Sequence, residues 1–359
     1  MTYNRIATPR AYMDQISHNL TTGFKAISDH SMKTDAGTPA TVTPSSGNFE
    51  DLFDLRPSNY VTVAANTRGF NIDINTGFSN SVLAENNFLA ILGHNFEEAS
   101  ARFRVLTDDA SAFDSVRVVT LSGQYTNVVN APVANTSYCT PVNNGWSLIT
   151  WEEDSTNNQY YRIEITDDGG VDSDYDDPVS IGAIMLGEYI DFPGVDMNVG
   201  FDIDYDGNDL MNSMGGHTFS NSQALGSPAW VKTNPWIIAP ESSENQTTKI
   251  SRHYGRRKYN MNFSYVADTD LYMSNMRGAH GATIDGSDIY SQFFQKSLGS
   301  HQPFLFTPDN SDNSESGFGL YRIEDGSLQS SQVAHQFWNM KLNLICLLYT
   351  SPSPRDRQK

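Results

Sequence analysis

The sequence predicts a mostly β protein, a jelly-roll β-sandwich followed by a second β-rich (α+β) domain. Aromatic residues make up 11% of the 359 residues, and Thr, Asn, Ser and Gly are common, which favours strands and turns over helices. Short runs rich in Val, Ile, Tyr and Phe are separated by polar turn clusters. No rhythm of alternating strands and helices is visible, and no short repeat period either. Many short strands with long polar loops are typical of a sandwich or jelly roll.

Residues 1–44 are predicted to be an N-terminal arm or linker. Tyr12, Ile16 and Leu20 recur at helical spacing and predict one short helix. The stretch TDAGTPATVTPSSGNFEDLFD is rich in Gly, Pro, Ser and Thr, so it predicts an extended loop that leads into the first domain.

Residues 45–192 are predicted to form the jelly roll. Its expected strands are NYVTVAA, RGFNIDI, NFLAILGHNF, ARFRVLT, SVRVVTL, WSLITWEE, YYRIEITD and IGAIMLGEYI. Residues 193–345 are predicted to form the second domain, with longer, partly exposed strands such as RKYNMNFSYV, FGLYRIED and HQFWNMKLNLI. Helical stretches are expected in DTDLYMSNMRGA and in SDIYSQFFQKSLGS, where Ile289, Phe293 and Leu298 recur at roughly helical spacing.

Residues 346–359 differ in style from the rest of the chain. The end LLYTSPSPRDRQK is basic and rich in Ser and Pro, and it resembles translated sequencing-adapter read-through, although a disordered tail is the alternative. The resemblance implies a non-native segment that includes Cys346. Cys139 and Cys346 in any case make no disulfide framework.

The net charge of −19 argues against two kinds of partner. A surface this acidic repels phosphate backbones, so no nucleic-acid partner is predicted, and it disfavours docking on anionic lipid. The opening MTYNRIATPRAYMDQISHNL lacks the apolar core of a signal peptide. No apolar run approaches the ~20 residues that span a bilayer. We therefore expect a soluble protein, made in a cytoplasm, without membrane insertion.

Motifs for catalysis are lacking. The chain has no G-x-S-x-G elbow and no phosphate-binding loop. Carboxylates are so frequent that no glycosidase pair can be singled out. His94, at the end of a predicted strand, is expected to be a structural, hydrogen-bonded residue, and the other histidines lack metal-ligand spacing. We predict no enzymatic activity and no zinc site.

The stretch FDIDYDGNDL (201–210) places Asp202, Asp204 and Asp206 at every second position before a glycine. A calcium loop of the EF-hand type also needs a bidentate carboxylate at position 12, which is Ser213 here. The period of two instead predicts a strand whose aspartates share one face, with Asp206 and the next glycine as a hairpin turn. A bound cation on this face is the alternative.

Tryptophans and one basic cluster are the candidate contact residues. Trp146 and Trp151 lie in predicted strands and are either core residues or rings that stack on the apolar C–H face of a sugar. Trp230 and Trp236 lie in a Pro-rich connecting loop, where they are candidates for contacts with a ligand or a neighbouring subunit. The cluster RHYGRRK is either an exposed strand start or an ion pair with an acidic loop of another copy; its candidate assembly residues are Arg252, Arg256 and Arg257.

Four stretches of the first domain resemble the discoidin-like, galactose-binding-type jelly roll. They are NNFLAILGHNF, WSLITWEE, YYRIEITDD and IGAIMLGEYIDF, in the expected order. The resemblance implies a fold and says little about the ligand. It also implies a rim at which a cation is often held, so DDGGVDSDYDD is a candidate calcium loop through Asp172, Asp174 and Asp176, with a solvated loop as the alternative.

The second domain resembles minor and distal tail proteins of bacteriophages. The stretches that carry this are YGRRKYNMNFSYVADTDLY, SQFFQKSLGSHQPFLFTPDN and HQFWNMKLNLI, and the opening IATPRAYMD has the style of marine phage structural proteins. The resemblance implies a structural component of the virion tail, homo-oligomeric, with other tail proteins as partners and a host-surface glycan as a further ligand. A calcium-supported carbohydrate-binding module protein without a virion role is the alternative, and a polysaccharide depolymerase is a third hypothesis.

Overall fold

The computed structural model describes residues 8–35, 39–57, 59–77, 86–121, 123–134, 137–152, 159–169, 173–197, 199–204, 210–216, 218–220, 256–272, 288–327 and 329–347. The described residues form mostly strands, and every ladder between the named strands is antiparallel. The predicted mostly β class is confirmed. Among the helices in these ranges, none is both long enough and apolar enough to cross a membrane.

The described residues of the first half form fourteen strands and one regular helix. The helix, α1, spans Gln15–Thr22. The strands are β1 (Arg10–Asp14), β2 (Ser31–Thr34), β3 (Val61–Val63), β4 (Phe70–Asn75), β5 (Phe88–His94), β6 (Ala101–Asp108), β7 (Arg117–Val118), β8 (Tyr125–Val129), β9 (Val133–Ala134), β10 (Tyr138–Cys139), β11 (Gly145–Trp151), β12 (Tyr160–Asp167), β13 (Val179–Ile181) and β14 (Ala183–Asp191).

The second half has eight described strands and little helix. A short helix, α2, spans Asp268–Leu271, and a π-helical segment spans Tyr290–Gln295. The strands are β15 (Gly200–Asp204), β16 (Leu210–Asn212), β17 (Thr218–Ser220), β18 (Arg256–Ala267), β19 (Phe304–Thr307), β20 (Gly319–Ile323), β21 (Gln329–Ala334) and β22 (Phe337–Cys346). Single 3₁₀ turns occur at Ile27–Asp29, Phe49–Phe53, Ala65–Thr67 and Glu315–Gly317.

A β-sandwich occupies the first half of the chain. One layer is a seven-stranded sheet in the order β2-β4-β12-β6-β10-β9, with β7 beside β6. The other layer is the β14-β5-β11-β8 end of an eleven-stranded sheet. The core between them is built from alternate residues of each strand, for example Ile72 of β4, Ile163 of β12 and Ile91 of β5. The predicted sandwich is therefore confirmed.

β1 joins the two halves, which the sequence did not indicate. It pairs with β14 on one side and β19 on the other, so the strands of both halves belong to one sheet. The predicted N-terminal arm, 1–44, contains β1, α1 and β2, of which β1 and β2 pair within the two large sheets. Tyr12 also lies in β1 and not in a helix, because Asp14 caps α1 by accepting hydrogen bonds from two of its backbone N–H groups.

The middle of the eleven-stranded sheet, around β5, is buried on both faces. All seven residues of β5 are buried, which is why its sequence is a continuous apolar run. The sheet also curls. The rings of Trp146 on β11 and Phe318 next to β20 lie 5.3 Å apart, although four strands separate β20 from β11. Residues from both halves therefore share one apolar core on the inside of this curl.

The second half packs its own core against the opposite face. Phe263 of β18, Leu342 of β22 and Phe293 of the π-helical segment are among its buried members. The helical spacing predicted for Ile289 and Phe293 therefore corresponds to two side chains that are both buried. At the C-terminal end, β22 continues to Cys346, which pairs with Tyr321. Strand pairing uses main-chain groups, so it does not distinguish a native from a non-native residue at 346.

Candidate functional site

The tryptophans predicted to bind a ligand do not line an open site. Trp146 is 1% exposed and Trp151 is 7% exposed, and both belong to apolar cores of the sandwich. A buried ring has no free face for a sugar, so the sugar-stacking prediction is corrected in favour of the core alternative. Trp230 and Trp236 lie outside the described residues.

The loop that contains Asp174 and Asp176 is engaged in local contacts. The carboxylate of Asp174 forms an ion pair with Arg68, with 3.0 Å between Oδ1 and Nε. Asp176 accepts a hydrogen bond from the hydroxyl of Ser100. Asp172 lies outside the described residues. These contacts support the loop's conformation and leave the calcium prediction for it untested.

The stretch FDIDYDGNDL begins as the predicted strand. It forms β15, which pairs with β18 and places Asp202 opposite Lys258 and Asp204 opposite Arg256. Asp206 lies outside the described residues, so the turn itself is not seen. Among the described residues, β16 pairs with β17 and not with β15. The described pairing of β15 is instead with β18.

Part of the basic cluster lies opposite these acids in the same chain. At the start of β18, Arg256 pairs with Asp204 and Lys258 with Asp202, whereas Arg257 pairs with Ile203; Arg252 lies outside the described residues. Opposite charges on adjacent strands stabilise their pairing. The sequence analysis did not consider acidic partners for the basic cluster within the same chain. An ion pair between the cluster and another copy stays a prediction.

Within the described ranges, no group of three or more His, Cys, Asp or Glu side chains is placed to hold a metal ion. Both predicted calcium sites include aspartates outside those ranges. Bound calcium therefore stays a prediction.

His94 is a structural residue, as predicted. Its ring is fully buried, Nε2 lies 2.8 Å from the hydroxyl of Ser147, and the ring stacks on Phe96. Burial lowers the pKa of His94 to about 3, so the ring is neutral at ordinary pH. A neutral ring without access to solvent has no role at a surface site.

An acidic cleft of about 660 Å³ lies where β14 meets the segments after β18. Its buried carboxylate, Glu188, lies 2.6 Å from the ammonium of Lys296 and also accepts from Gln292. Asp191 makes two hydrogen bonds to the guanidinium of Arg10. A depolymerase needs one carboxyl group that carries a proton and one that is open to water or substrate. Glu188 and Asp191 instead bind cations of their own chain, whereas the exposed residues Glu152 and Asp270 also line the cleft, so the depolymerase hypothesis stays untested.

A larger polar groove, of about 790 Å³, lies on the second half of the molecule. Its floor is the outer face of three neighbouring strands, β18, β22 and β21. Side chains that form hydrogen bonds line most of it: Asp196, Asn262, Ser264, Gln329, Ser330, Ser331, Asn339 and Lys341. These groups alternate along the strands with core residues such as Phe263 and Met340, as expected for a sheet with one face in solvent.

Hydrogen bonds hold one wall of the groove. The carboxylate of Asp196 accepts from the hydroxyl of Ser264 at 2.7 Å, and its backbone N–H donates to the carbonyl of Asn262. On the floor, the hydroxyls of Ser330 and Tyr272 are hydrogen-bonded to each other. The groove is therefore a pre-organised polar surface.

Tyr265, which follows the groove residue Ser264 in sequence, has an unusual backbone conformation. The register between β18 and β22 shifts between Phe263 and Val266, which marks a β-bulge. Tyr265 has φ of 57°, in the left-handed region that residues other than glycine seldom adopt, and it is 71% exposed. Its backbone N–H donates to Oδ1 of Asn339, a residue of the groove. The side chain of Tyr265 is therefore exposed, and its backbone is bonded to a residue of the groove.

Sequence reasoning missed this groove for a definite reason. Tyr265 lies in the run MNFSYVA, whose alternation assigns it a position in the core beside Phe263. Only the extra residue of the bulge turns it outward. The polar residues at alternate positions of RKYNMNFSYV and HQFWNMKLNLI were a visible signal of an exposed face.

No family model matches the chain, and no curated protein matches it. Solved structures that resemble part of it are carbohydrate-binding modules. Chitosan-binding module 1 from a chitosanase/glucanase of Paenibacillus sp. IK-5 is 14% identical, with 44% of this chain and 93% of that chain covered and a TM-score of 0.30. A Clostridium perfringens module in complex with GalNAc-β-1,3-galactose is 9% identical, with 45% and 96% covered and a TM-score of 0.28.

A module from a family 31 glycoside hydrolase of C. perfringens is 11% identical, with 45% of this chain and 94% of that chain covered and a TM-score of 0.28. Likenesses this distant do not say what the present chain binds. Its own structure is a mostly β protein with a sandwich in the first half and a polar groove on the large sheet in the second half.

Proposed function

We propose that this protein is a non-catalytic glycan-binding protein, and that the sugar chain lies in the polar groove against Tyr265. The observation that carries the proposal is the bulge that exposes Tyr265 directly after the groove residue Ser264, with its backbone N–H bonded to the groove residue Asn339. Residues held in sparsely populated backbone conformations of this kind cluster at active sites and ligand-binding sites.

The groove has the chemistry that sugar hydroxyls require. A hydroxyl both donates and accepts, and the lining offers acceptors such as the Asp196 carboxylate together with amides that do both, such as Asn339. A pyranose ring also has an apolar C–H face, which packs on an aromatic ring such as that of Tyr265. Carboxylate and ammonium are both present in the lining, so neither anionic nor cationic ligands are favoured over neutral ones.

The length of the floor favours a chain over a single sugar. Along β22 the groove extends from Asn339 to Lys341, and across the sheet it extends from Asn262 on β18 to Gln329 on β21. A volume of about 790 Å³ falls within the roughly 300–1,000 Å³ range of sites for larger ligands.

Binding to a panel of neutral oligosaccharides and polysaccharides tests the proposal. We expect at least one to bind by calorimetry, and Tyr265→Ala to weaken it about 3- to 10-fold, because the ring packing is lost. Asn339→Ala is a second variant within the groove. Tyr60→Ala is the matched control, since Tyr60 is also exposed but lies on the sandwich far along the chain from the groove strands. Binding that is equal in Tyr265→Ala and Tyr60→Ala would contradict the proposal.

A structural role in a phage tail is the second candidate. What favours it is an apolar row on the outermost described strand of the large sheet: Met197, Val199 and Phe201 are all exposed along β15 and the residues before it. Such an edge suits assembly with other copies or other tail proteins, and a virion location would follow. The two candidates are compatible, because a tail component can carry a glycan-binding groove for a host surface.

The oligomeric mass of the full chain separates the two candidates. Light scattering with and without calcium is expected to show a discrete ring if the protein is a tail component. A monomer at all concentrations would contradict the tail candidate and leave the glycan-binding proposal standing. A monomer whose thermal stability rises with calcium would favour a calcium-supported binding protein.

A further inference from the structure

Strand β21 is an exposed edge of the large sheet, at one end of the polar groove. It spans Gln329–Ala334, all six of its residues are exposed, and among the described residues it pairs only with β22. Ser330 is exposed although it lies opposite the buried Met340, so the core does not extend beneath this strand. An edge strand presents a row of backbone N–H and C=O groups that can pair with another strand.

The sequence of β21, QSSQVA, lacks the residues that commonly protect such an edge. Proteins often prevent pairing between exposed edges with charged residues or proline, and β21 contains neither. The edge strand β2 of the seven-stranded sheet, by comparison, carries Lys33, which also forms a bridge to Thr41. An irregularity of register at Val333 leaves residues 329–332 as the regular part of β21. This part can accept an antiparallel neighbour.

The chemistry of this edge favours a second copy of the same chain as the neighbour. When β21 pairs with its own copy, no two like charges meet at any register. Its amide and hydroxyl side chains both donate and accept, so each can bond to its counterpart. Val333 and Phe337, 46% and 43% exposed, add apolar surface at the edge. The net charge of −19 makes two copies repel each other elsewhere, so an uncharged edge is where they can approach.

We propose that two copies of this chain associate through β21, and that their two polar grooves form one longer groove. An antiparallel strand and its copy are related by a two-fold axis perpendicular to the sheet, so both grooves open on the same side. The floor of each groove crosses the sheet through Asn262, Lys341 and Gln329, which occupy paired positions on three neighbouring strands. Pairing at the edge continues this floor onto the same strands of the second copy.

The consequence for the ligand rests on the proposed glycan-binding function. A doubled groove offers two contacts to one long sugar chain, and the second contact forms at a high effective concentration once the first is made. We therefore expect a polysaccharide to bind the dimer more tightly than the monomer. A short oligosaccharide, which occupies one groove, should bind both equally.

Sedimentation velocity of the full chain over a wide range of concentrations tests the association. We expect a reversible dimer. Gln332→Glu and Gln332→Lys place like charges near each other across the paired edge, outside the lining of the groove, and each should weaken the dimer about 3- to 10-fold. An equimolar mixture of the two variants should dimerise at least as well as the natural chain, because opposite charges then meet. A folding defect in either variant would not be repaired by mixing.

Gln124→Glu is the matched control, because it makes the same change in charge at an exposed turn of the first half. It should dimerise as the natural chain does. The proposal is overturned if the natural chain is monomeric at all concentrations or if the Gln332 variants associate as tightly as it does. It is also overturned if the mixture stays monomeric where the natural chain is a dimer.

Sugar binding at concentrations where the natural chain is a dimer tests the joined groove. Gln332→Glu should bind a polysaccharide about 10-fold more weakly or less tightly still, and a short oligosaccharide as the natural chain does. Equal binding of the polysaccharide would overturn the joined groove. If no sugar binds, but the natural chain dimerises and the Gln332 variants do not, the glycan-binding proposal fails and the interface at β21 stands.

Discussion

At the scale of single residues, burial decides which polar side chains support the fold. His94 is the clearest case, because its ring is enclosed between β5 and β11 and its Nε2 is hydrogen-bonded to Ser147. Burial lowers the pKa of His94 to about 3, and an unfolded histidine titrates near 6.5. The unfolded chain therefore binds a proton in a pH range where the folded chain does not.

This difference predicts that acid destabilises the protein. Stability is fully present above pH 6.5 and is lost as the pH falls towards the folded pKa, by about 2 kcal/mol for this residue at pH 5. Chemical denaturation at pH 7 and pH 5 measures it. In His94→Gln the loss between the two pH values should be smaller by about that amount.

The matched control is His335→Gln, which replaces an exposed histidine. It should show the same loss between pH 7 and pH 5 as the natural chain. If His94→Gln retains the full loss, His94 is not the group that couples folding to protons.

At the scale of elements, the short strand β1 connects the strands of the two halves. Its five residues pair with β14 through one edge and β19 through the other, so the sheet of both halves depends on it. The side chains of Ala11 and Met13 lie in the core of the second half, whereas Tyr12 lies in the core inside the curl. A strand in the middle of a sheet does not tolerate the loss of a backbone donor.

We therefore expect Ala11→Pro to lower the free energy of unfolding by about 3 kcal/mol, because a ladder hydrogen bond is lost and its acceptor stays buried. Ala334→Pro is the matched control. Ala334 lies in β21, whose residues are all exposed, and the expected cost is less than about 1 kcal/mol. Thermal and denaturant unfolding measure both. Similar costs in the two variants would show that β1 does not hold the sheet together.

At the scale of the whole molecule, the continuous sheet predicts cooperative unfolding. The sequence predicted separate domains at 45–192 and 193–345, but strands from both belong to one sheet, and Leu305 and Leu320 share a core with Trp146. Calorimetry of the full chain should therefore show one transition, with a van't Hoff enthalpy about equal to the calorimetric one. Two resolved transitions would instead indicate that the predicted domains, 45–192 and 193–345, unfold independently of each other.

Much of the element content could be predicted from local patterns. Continuous apolar runs marked buried strands such as β5, and alternation marked strands with one wet face such as β22. Both follow from the period of two along a strand, which any sequence shows directly. The missed strands β1 and β2 are short, and Tyr12 happens to share helical spacing with residues of α1.

The candidate sites were harder to predict because each depends on chain segments far apart in sequence. The groove, for example, needs Asp196 beside Ser264. The tryptophans were visible as aromatic residues, but whether a ring is buried depends on what packs against it.

The sequence by itself determined that this is an acidic, mostly β protein with a sandwich in its first half, because strand period and composition are local properties of the chain. Only the tertiary structure decided that β1 unites the two halves, that Trp146 and Trp151 are core residues, and that Tyr265 points into solvent. The physical reason is that strand pairing and burial depend on contacts between residues distant in sequence, and a single bulge reverses the face on which a side chain lies.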